Sequence, residues 1–256
     1  MNVIRSLAIA FSMYSKIPVP RVEWKEEAMR YAMCFLPFVG AVVGLLVYGF
    51  GLLCGGMGLN TNLYAAILVV IPVLVTGGIH LDGYLDTVDA ISSYQPMEKR
   101  LEILKDSNSG AFAIIFGIVY FLLAFGLWSQ VSVAGMRLLA VGFVLSRAFS
   151  GLAVVSFPCA KKSGLAALFA RNAQKNVVRV VMTAYILACL GLLIWMGGAA
   201  GLACFMAALL VFGYYHHMAM SKFGGITGDL AGFFLQVCEL SMAAAVVICE
   251  IVGGVL

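Results

Sequence analysis

Apolar residues come in long runs along this chain, and polar residues are gathered between them. The runs fall at roughly 31–54, 62–79, 111–130, 133–157, 178–196, 199–215 and 231–252. A bilayer-crossing helix takes about 20 apolar residues. The pattern therefore predicts about seven transmembrane helices in an all-α polytopic membrane protein, with 1–256 as one integral domain. Ahead of the first run, Arg5, Ser12 and Lys16 fall on one helical stripe opposite apolar residues. This marks 1–30 as an interfacial, cytoplasmic segment. The run from Leu7 to Met13 is short and no small-residue cleavage site follows, so it does not read as a signal peptide.

The links near 55–61, 131–132 and 197–198 carry no charge. Segments 1–30, 80–110, 158–179 and 216–230 carry 14 of the 16 Lys and Arg residues, and ten of the 12 acids. With seven spans these four segments lie on one side. The positive-inside rule makes that side cytoplasmic, with the N-terminus in and the C-terminus out. Active-site loops are expected there.

Composition sharpens the picture. Hydrophobic residues make up 63% and charged residues 11% of the 256 positions, against about 45–50% and 25% in soluble domains. Mean hydropathy is +1.03. A soluble enzyme, a disordered chain and a nucleic-acid-binding face are excluded; the lipid bilayer is a partner. Seven cysteines are scattered without a C-x-x-C pair and read as small core residues.

Candidate chemistry is densest at Gly77-Gly78-Ile79-His80-Leu81-Asp82-Gly83-Tyr84-Leu85-Asp86-Thr87-Val88-Asp89. The three aspartates stand at i, i+4 and i+7, on one helical face. Like charges so placed oppose a helix unless a cation neutralises them. Oxygen-only ligands suit Mg²⁺, shared with substrate phosphates. His80 lies about 200° from Asp82 on a helical wheel, as a general base, a phosphate contact or a cap. Gly77, Gly78 and Gly83 permit close backbone approach to a ligand; helix packing is the competing reading. Asp106, before Ser107 and Gly110, is placed to complete a metal site.

Arg147 sits inside an apolar run, where an ionisable residue is functional by default. Its expected partner is an aspartate or a bound phosphate, with a structural ion pair as the alternative. Lys161-Lys162-Ser163-Gly164 suits a nucleotide phosphate or anionic lipid. Gly224-Gly225-Ile226-Thr227-Gly228-Asp229 echoes residues 77–83 and forms a candidate anion or substrate lip at a helix start.

Over almost its whole length the chain resembles the cobalamin synthase family, the adenosylcobinamide-GDP ribazoletransferases. The family's G-G-x-H-x-D-G-x-x-D-x-x-D signature stands at 77–89, its K-D-S-x-x-G at Lys105–Gly110, and its G-G-x-T-G-D-x-x-G at Gly224–Gly232. Phe11 and Lys16-Ile17-Pro18-Val19-Pro20 are also family-like. Phe233 departs from the pattern, standing where a small residue is expected, and Asn108 replaces what is often a basic one. The resemblance implies transfer of cobinamide phosphate from adenosylcobinamide-GDP to alpha-ribazole or its 5′-phosphate, with release of GMP. It implies Mg²⁺ on Asp82, Asp86, Asp89 and Asp106. His80, Asp89 and Lys105 become catalytic candidates, joined by Arg147 from its place in an apolar run, with Asp89 or His80 as the base. Gly77, Gly78, Gly83, Ser107, Lys161, Thr227 and Asp229 become substrate contacts. A bacterial inner-membrane location follows; a homo-oligomer and corrinoid-pathway partners remain open. A prenyltransferase would carry a second D-x-x-x-D cluster, where this chain offers only Asp229. A CDP-alcohol phosphotransferase would carry D-G-x-x-A-R, whereas Asp82-Gly83 is followed by Tyr-Leu-Asp. A cation transporter would place its acids at the midplane, not at one boundary.

Overall fold

The computed structural model describes residues 2–54, 57, 59–106 and 108–253. Among the described residues every regular element is helical, and the seven cysteines are free. In chain order they are α1 (Asn2–Tyr14), α2 (Glu26–Met29), a 3₁₀ turn (Ala32–Phe35) running into α3 (Leu36–Cys54), α4 (Thr61–Thr76) and α5 (Ile79–Ser92). After them come α6 (Met97–Ile103), α7 (Ala111–Trp128), α8 (Val133–Ser156), α9 (Leu165–Asn172), α10 (Lys175–Phe223) and α11 (Gly228–Val252). The protein is a multi-pass helical membrane protein.

α8 is the central post. Most of its side chains are buried, around the full circumference, because α3, α10 and α11 all pack on it; a helix apolar all round is a core helix. α7 lies outside and turns Ile114, Ile118, Leu122 and Leu123 outward, as a lipid-facing helix does.

Five helices are long and apolar enough to cross a membrane, and the bent α4–α5 pair makes six. α10 folds back on itself. Gly198 takes φ 51°, ψ −119° in mid-helix, in the left-handed half of φ space that glycine tolerates. A Cβ on Gly201 would lie 1.8 Å from the Leu193 carbonyl oxygen. In a straight helix those residues stand about 12 Å apart. The two arms also run opposite ways along α8. On the first arm Arg137 bonds Met196 O at 3.1 Å and Arg179 bonds Val155 O at 2.9 Å. On the second, Phe149 meets Phe205 and Phe157 meets His216. Counted as separate arms, 175–197 and 199–223 bring the crossings to the expected seven.

The run expected at 62–79 is corrected: α4 stops at Thr76. Gly77 and Gly78 take φ 65° and 79°, and their N–H groups bond back to Leu74 O and Val73 O, a glycine C-cap. α5 then leaves at 96° to α4. The charged segments are laced together at this end. Lys16 N donates to Val75 O, Gln174 N to Arg30 O, Lys161 Nζ to Leu101 O and Arg100 Nη1 to Lys222 O. At the far end, Ser132 donates through N and Oγ to Glu250.

Candidate active site

The site grows from the contact between α5 and α11. A Cβ on Gly83 would lie 2.7 Å from Asp229 O, and one on Gly232 would lie 2.8 Å from His80 O. The two helices therefore touch backbone to backbone. Of the two readings of Gly83, the geometry supports helix packing, since α11 fills its space. Gly77 likewise lies under the Lys16 side chain, while Gly78 has open space around it. Phe233, the departure from the family pattern, stacks on Tyr84 at 5.8 Å across the same seam.

The helical face of α5 separates its residues. His80, Gly83, Tyr84 and Thr87 are buried against the bundle, and the acids point the other way. Asp82 is exposed and Asp86 half-buried, and the charges acting on Asp86 are Asp82, Asp229 and Asp89 in that order. Asp82 occupies the first turn of α5 and Asp229 the first turn of α11, where the helix dipole favours a carboxylate. The two glycine-rich echoes thus do one job twice: each ends a helix on a left-handed glycine and opens the next with an aspartate. Among the described residues no three His, Cys, Asp or Glu side chains converge tightly enough to hold a metal ion by themselves.

Two adjoining cavities meet at Asp229, and Asp82 lines one of them, while Asp86 and Asp89 line neither. A basic lobe of about 310 Å³ is lined by Lys105, Lys161, Ser163, Thr227 and Asp229. Burial, and then the Lys105 charge, press the Lys161 ammonium below the usual lysine value, while Asp229 works against them. Thr227 Oγ1 caps α11 by accepting from Leu230 N at 3.2 Å and donates to Asp229 at 3.3 Å. An apolar lobe of about 270 Å³ is lined by Met13, Tyr14, Met33, Leu36, Val154 and Leu235, with His80, Asp82 and Ser150. His80 is 4% exposed, and its Nε2 has no hydrogen-bond partner. Leu165, Ala166, Gly228 and Asp229 line both lobes.

Several expected site residues lie elsewhere. Asp89 accepts from Gly110 N at 2.9 Å and from Ala113 N at 3.3 Å. Both its oxygens serve the start of α7, whose first N–H groups have no intrahelical partner. Asp106 is exposed and turned back on Asn108, accepting from its N at 3.0 Å and its Nδ2 at 2.9 Å. Those donors lower its carboxyl below the usual aspartate value. It lines neither lobe. Ser107 lies outside the described residues.

For Arg147 the structure shows the alternative arrangement, a buried ion pair. Arg147 is 1% exposed and pairs with Glu239 of α11, with Ser146 bonding the same carboxylate at 3.1 Å. Its guanidinium also lies 5.5 Å from the Phe143 ring. Its carboxylate partner is thus a glutamate on α11 inside the bundle, not an aspartate of α5. Sequence reasoning misses Glu239 and Tyr14. Glu239 is legible as an opposite charge inside another apolar run. Tyr14 carries no such signal, because only the fold brings α1 to the cleft.

These features define a class: a multi-pass helical membrane enzyme with an acid-rimmed, two-lobed cleft at one end of its bundle. The cobalamin-5-phosphate synthase family matches residues 6–247. The chain is 51% identical to the adenosylcobinamide-GDP ribazoletransferase of Lachnoclostridium phytofermentans, over 98% of this chain and 96% of that one. It is 30% identical to that of Clostridium botulinum strain Alaska E43, over 93% and 95%, and 33% identical to that of Pseudomonas syringae pv. syringae, over 91% and 95%. No solved structure matches it. The chain belongs to the cobalamin-5-phosphate synthase family.

Proposed function

We propose that the cleft transfers the cobinamide-phosphate group of adenosylcobinamide-GDP to alpha-ribazole or its 5′-phosphate, releasing GMP. Family membership supplies the reaction. The observation that carries its placement is the pair of lobes meeting at Asp229, one with two lysines and one with a free buried histidine nitrogen. Lys105 and Lys161 neutralise the diphosphate of the donor. The ribazole 3′-oxygen attacks the phosphorus on the corrinoid side, the phosphorus–oxygen bond to GMP breaks, and GMP leaves. Phosphoryl transfer of this kind is mostly positioning and charge neutralisation. His80, which lines the apolar lobe, is one candidate for taking the hydroxyl proton. Asp89, the other candidate base, has both oxygens engaged at the start of α7.

Asp82 and Asp86 fit Mg²⁺: both are oxygen donors one turn apart on α5, and the like charges of Asp82, Asp229 and Asp89 act on Asp86. Mg²⁺ takes one or two carboxylates and completes its shell with waters and substrate phosphates, so a preformed cage of three acids is not required. Bound there, it would lower the charge of the diphosphate. The cleft faces the cytoplasm of a bacterium, a reading supported by the distribution of 14 of the 16 Lys and Arg residues. Purified protein supplied with adenosylcobinamide-GDP, alpha-ribazole and Mg²⁺ is expected to form corrinoid product and GMP. EDTA, Asp82→Asn and Asp86→Asn should each remove most of the turnover from folded protein. Near-normal turnover in both variants at saturating Mg²⁺ overturns the acid site.

A further inference from the structure

The two lobes differ in chemistry, and that difference assigns the substrates. The apolar lobe is walled by carbon: Met13, Met33, Leu36, Val154 and Leu235. Tyr14 closes it, with its ring 6.1 Å from the His80 ring and 22° from parallel, and is itself braced by Phe169 at 6.0 Å. Inside, the polar groups are few: His80 and Ser150, with Asp82 and Asp229 as lining carboxylates. The basic lobe has the opposite character, with Lys105, Lys161 and the uncapped first turn of α9 along its wall.

Resting on the reaction assigned above, we propose that the apolar lobe seats the base of the acceptor nucleoside and that Tyr14 sets acceptor specificity. The base of ribazole is a benzimidazole whose outer edge is carbon and methyl. Methionine and leucine side chains cover such an edge without leaving a polar atom unpaired. Guanine, the base of the donor, carries an oxygen and an amino group on its outer edge. Burying these against the same side chains would strand them, and an unmade buried hydrogen bond is costly. The ribose end of the acceptor then points toward His80, where one buried nitrogen has no partner. The diphosphate lies in the basic lobe, so hydroxyl and phosphorus meet at the shared wall of Gly228 and Asp229. Selectivity for benzimidazole ribosides over purine ribosides follows from that wall.

The test is a split of Michaelis constants, using the full-length protein in lipid nanodiscs with both substrates varied in turn. Stacking on an aromatic side chain is worth about 1–3 kcal/mol per base, so Tyr14→Leu should raise KM for alpha-ribazole by about tenfold while KM for adenosylcobinamide-GDP stays within about twofold. Tyr14→Phe, which keeps the ring, should recover most of the loss. Ala231→Leu narrows the lobe from α11 and gives a second reading should Tyr14→Leu fold poorly; it too should raise only the acceptor KM. Lys161→Ala should do the reverse. A rise confined to the donor KM in Tyr14→Leu or Ala231→Leu would give the lobe to guanine and overturn the assignment, as would two unchanged constants. Absence of turnover in the wild-type protein would instead strike the reaction itself.

Discussion

Removing one partner of the Arg147–Glu239 pair should destabilise the bundle more than removing both. Arg147 is 1% exposed and the Glu239 side chain 10%, and each is the other's charged partner. Arg147→Leu leaves Glu239 with only the Ser146 hydroxyl among α8, α11 and lipid. Breaking a buried pair from one side costs about 3–5 kcal/mol, a fall of a hundredfold or more in the folded-to-unfolded ratio at 1.4 kcal/mol per tenfold. Glu239→Leu should act similarly, since it strands a guanidinium. Arg147→Met with Glu239→Leu removes both charges and should recover most of the loss, because an apolar replacement of a buried pair is often neutral or better. The assay is folded yield by size-exclusion chromatography in detergent, with thermal unfolding followed on the same samples. Specific activity of the folded fraction in the double variant should remain, because neither residue lines the two lobes. Single variants as stable as wild type, or a double variant at the additive sum of the singles, would refute the ion-pair account. A fully folded but inactive double variant would return Arg147 to the phosphate.

Gly83→Ala and Gly232→Ala should each lower thermal stability by about 1–3 kcal/mol, because the new methyl meets backbone at 2.7 Å and 2.8 Å; an unchanged melting temperature in both would contradict the helix contact. Asp89→Ala should lower stability by about 1 kcal/mol, as loss of a helix cap does, and keep more turnover than Asp86→Asn; equal loss of turnover in the two would return Asp89 to the chemistry. A cysteine placed at Ser163 in a cysteine-free background should resist an impermeant thiol reagent in intact cells and react after lysis; labelling from outside refutes the cytoplasmic orientation.

The spans were legible because lipid imposes a simple rule, long apolar runs, and the four charged segments named the polar end before any geometry. The acidic face of α5 was legible too, since i, i+4 and i+7 share a side at any helix position. What the pattern concealed was tertiary. An aspartate carries no mark of whether its partners are metal or the amides of the next helix, and Asp89 went to Gly110 and Ala113. The break after Thr76 hid inside an apolar run because both flanks of Gly77-Gly78 are equally greasy. An arginine inside an apolar run reads as expensive, but its partner lies 92 residues away on α11. The contribution of Tyr14 depends on where α1 docks, which periodicity does not encode.

The break after α4 also bears on membrane thickness. At 16 residues the helix is about 24 Å long, some 6 Å short of a hydrocarbon core of about 30 Å. That mismatch is met by thinning the bilayer around α4 or by sinking the Gly77–Gly78 turn beneath the headgroups. Bilayers built from longer lipids raise the cost of that mismatch, so the stretch around α4 is where this fold is most sensitive to membrane thickness.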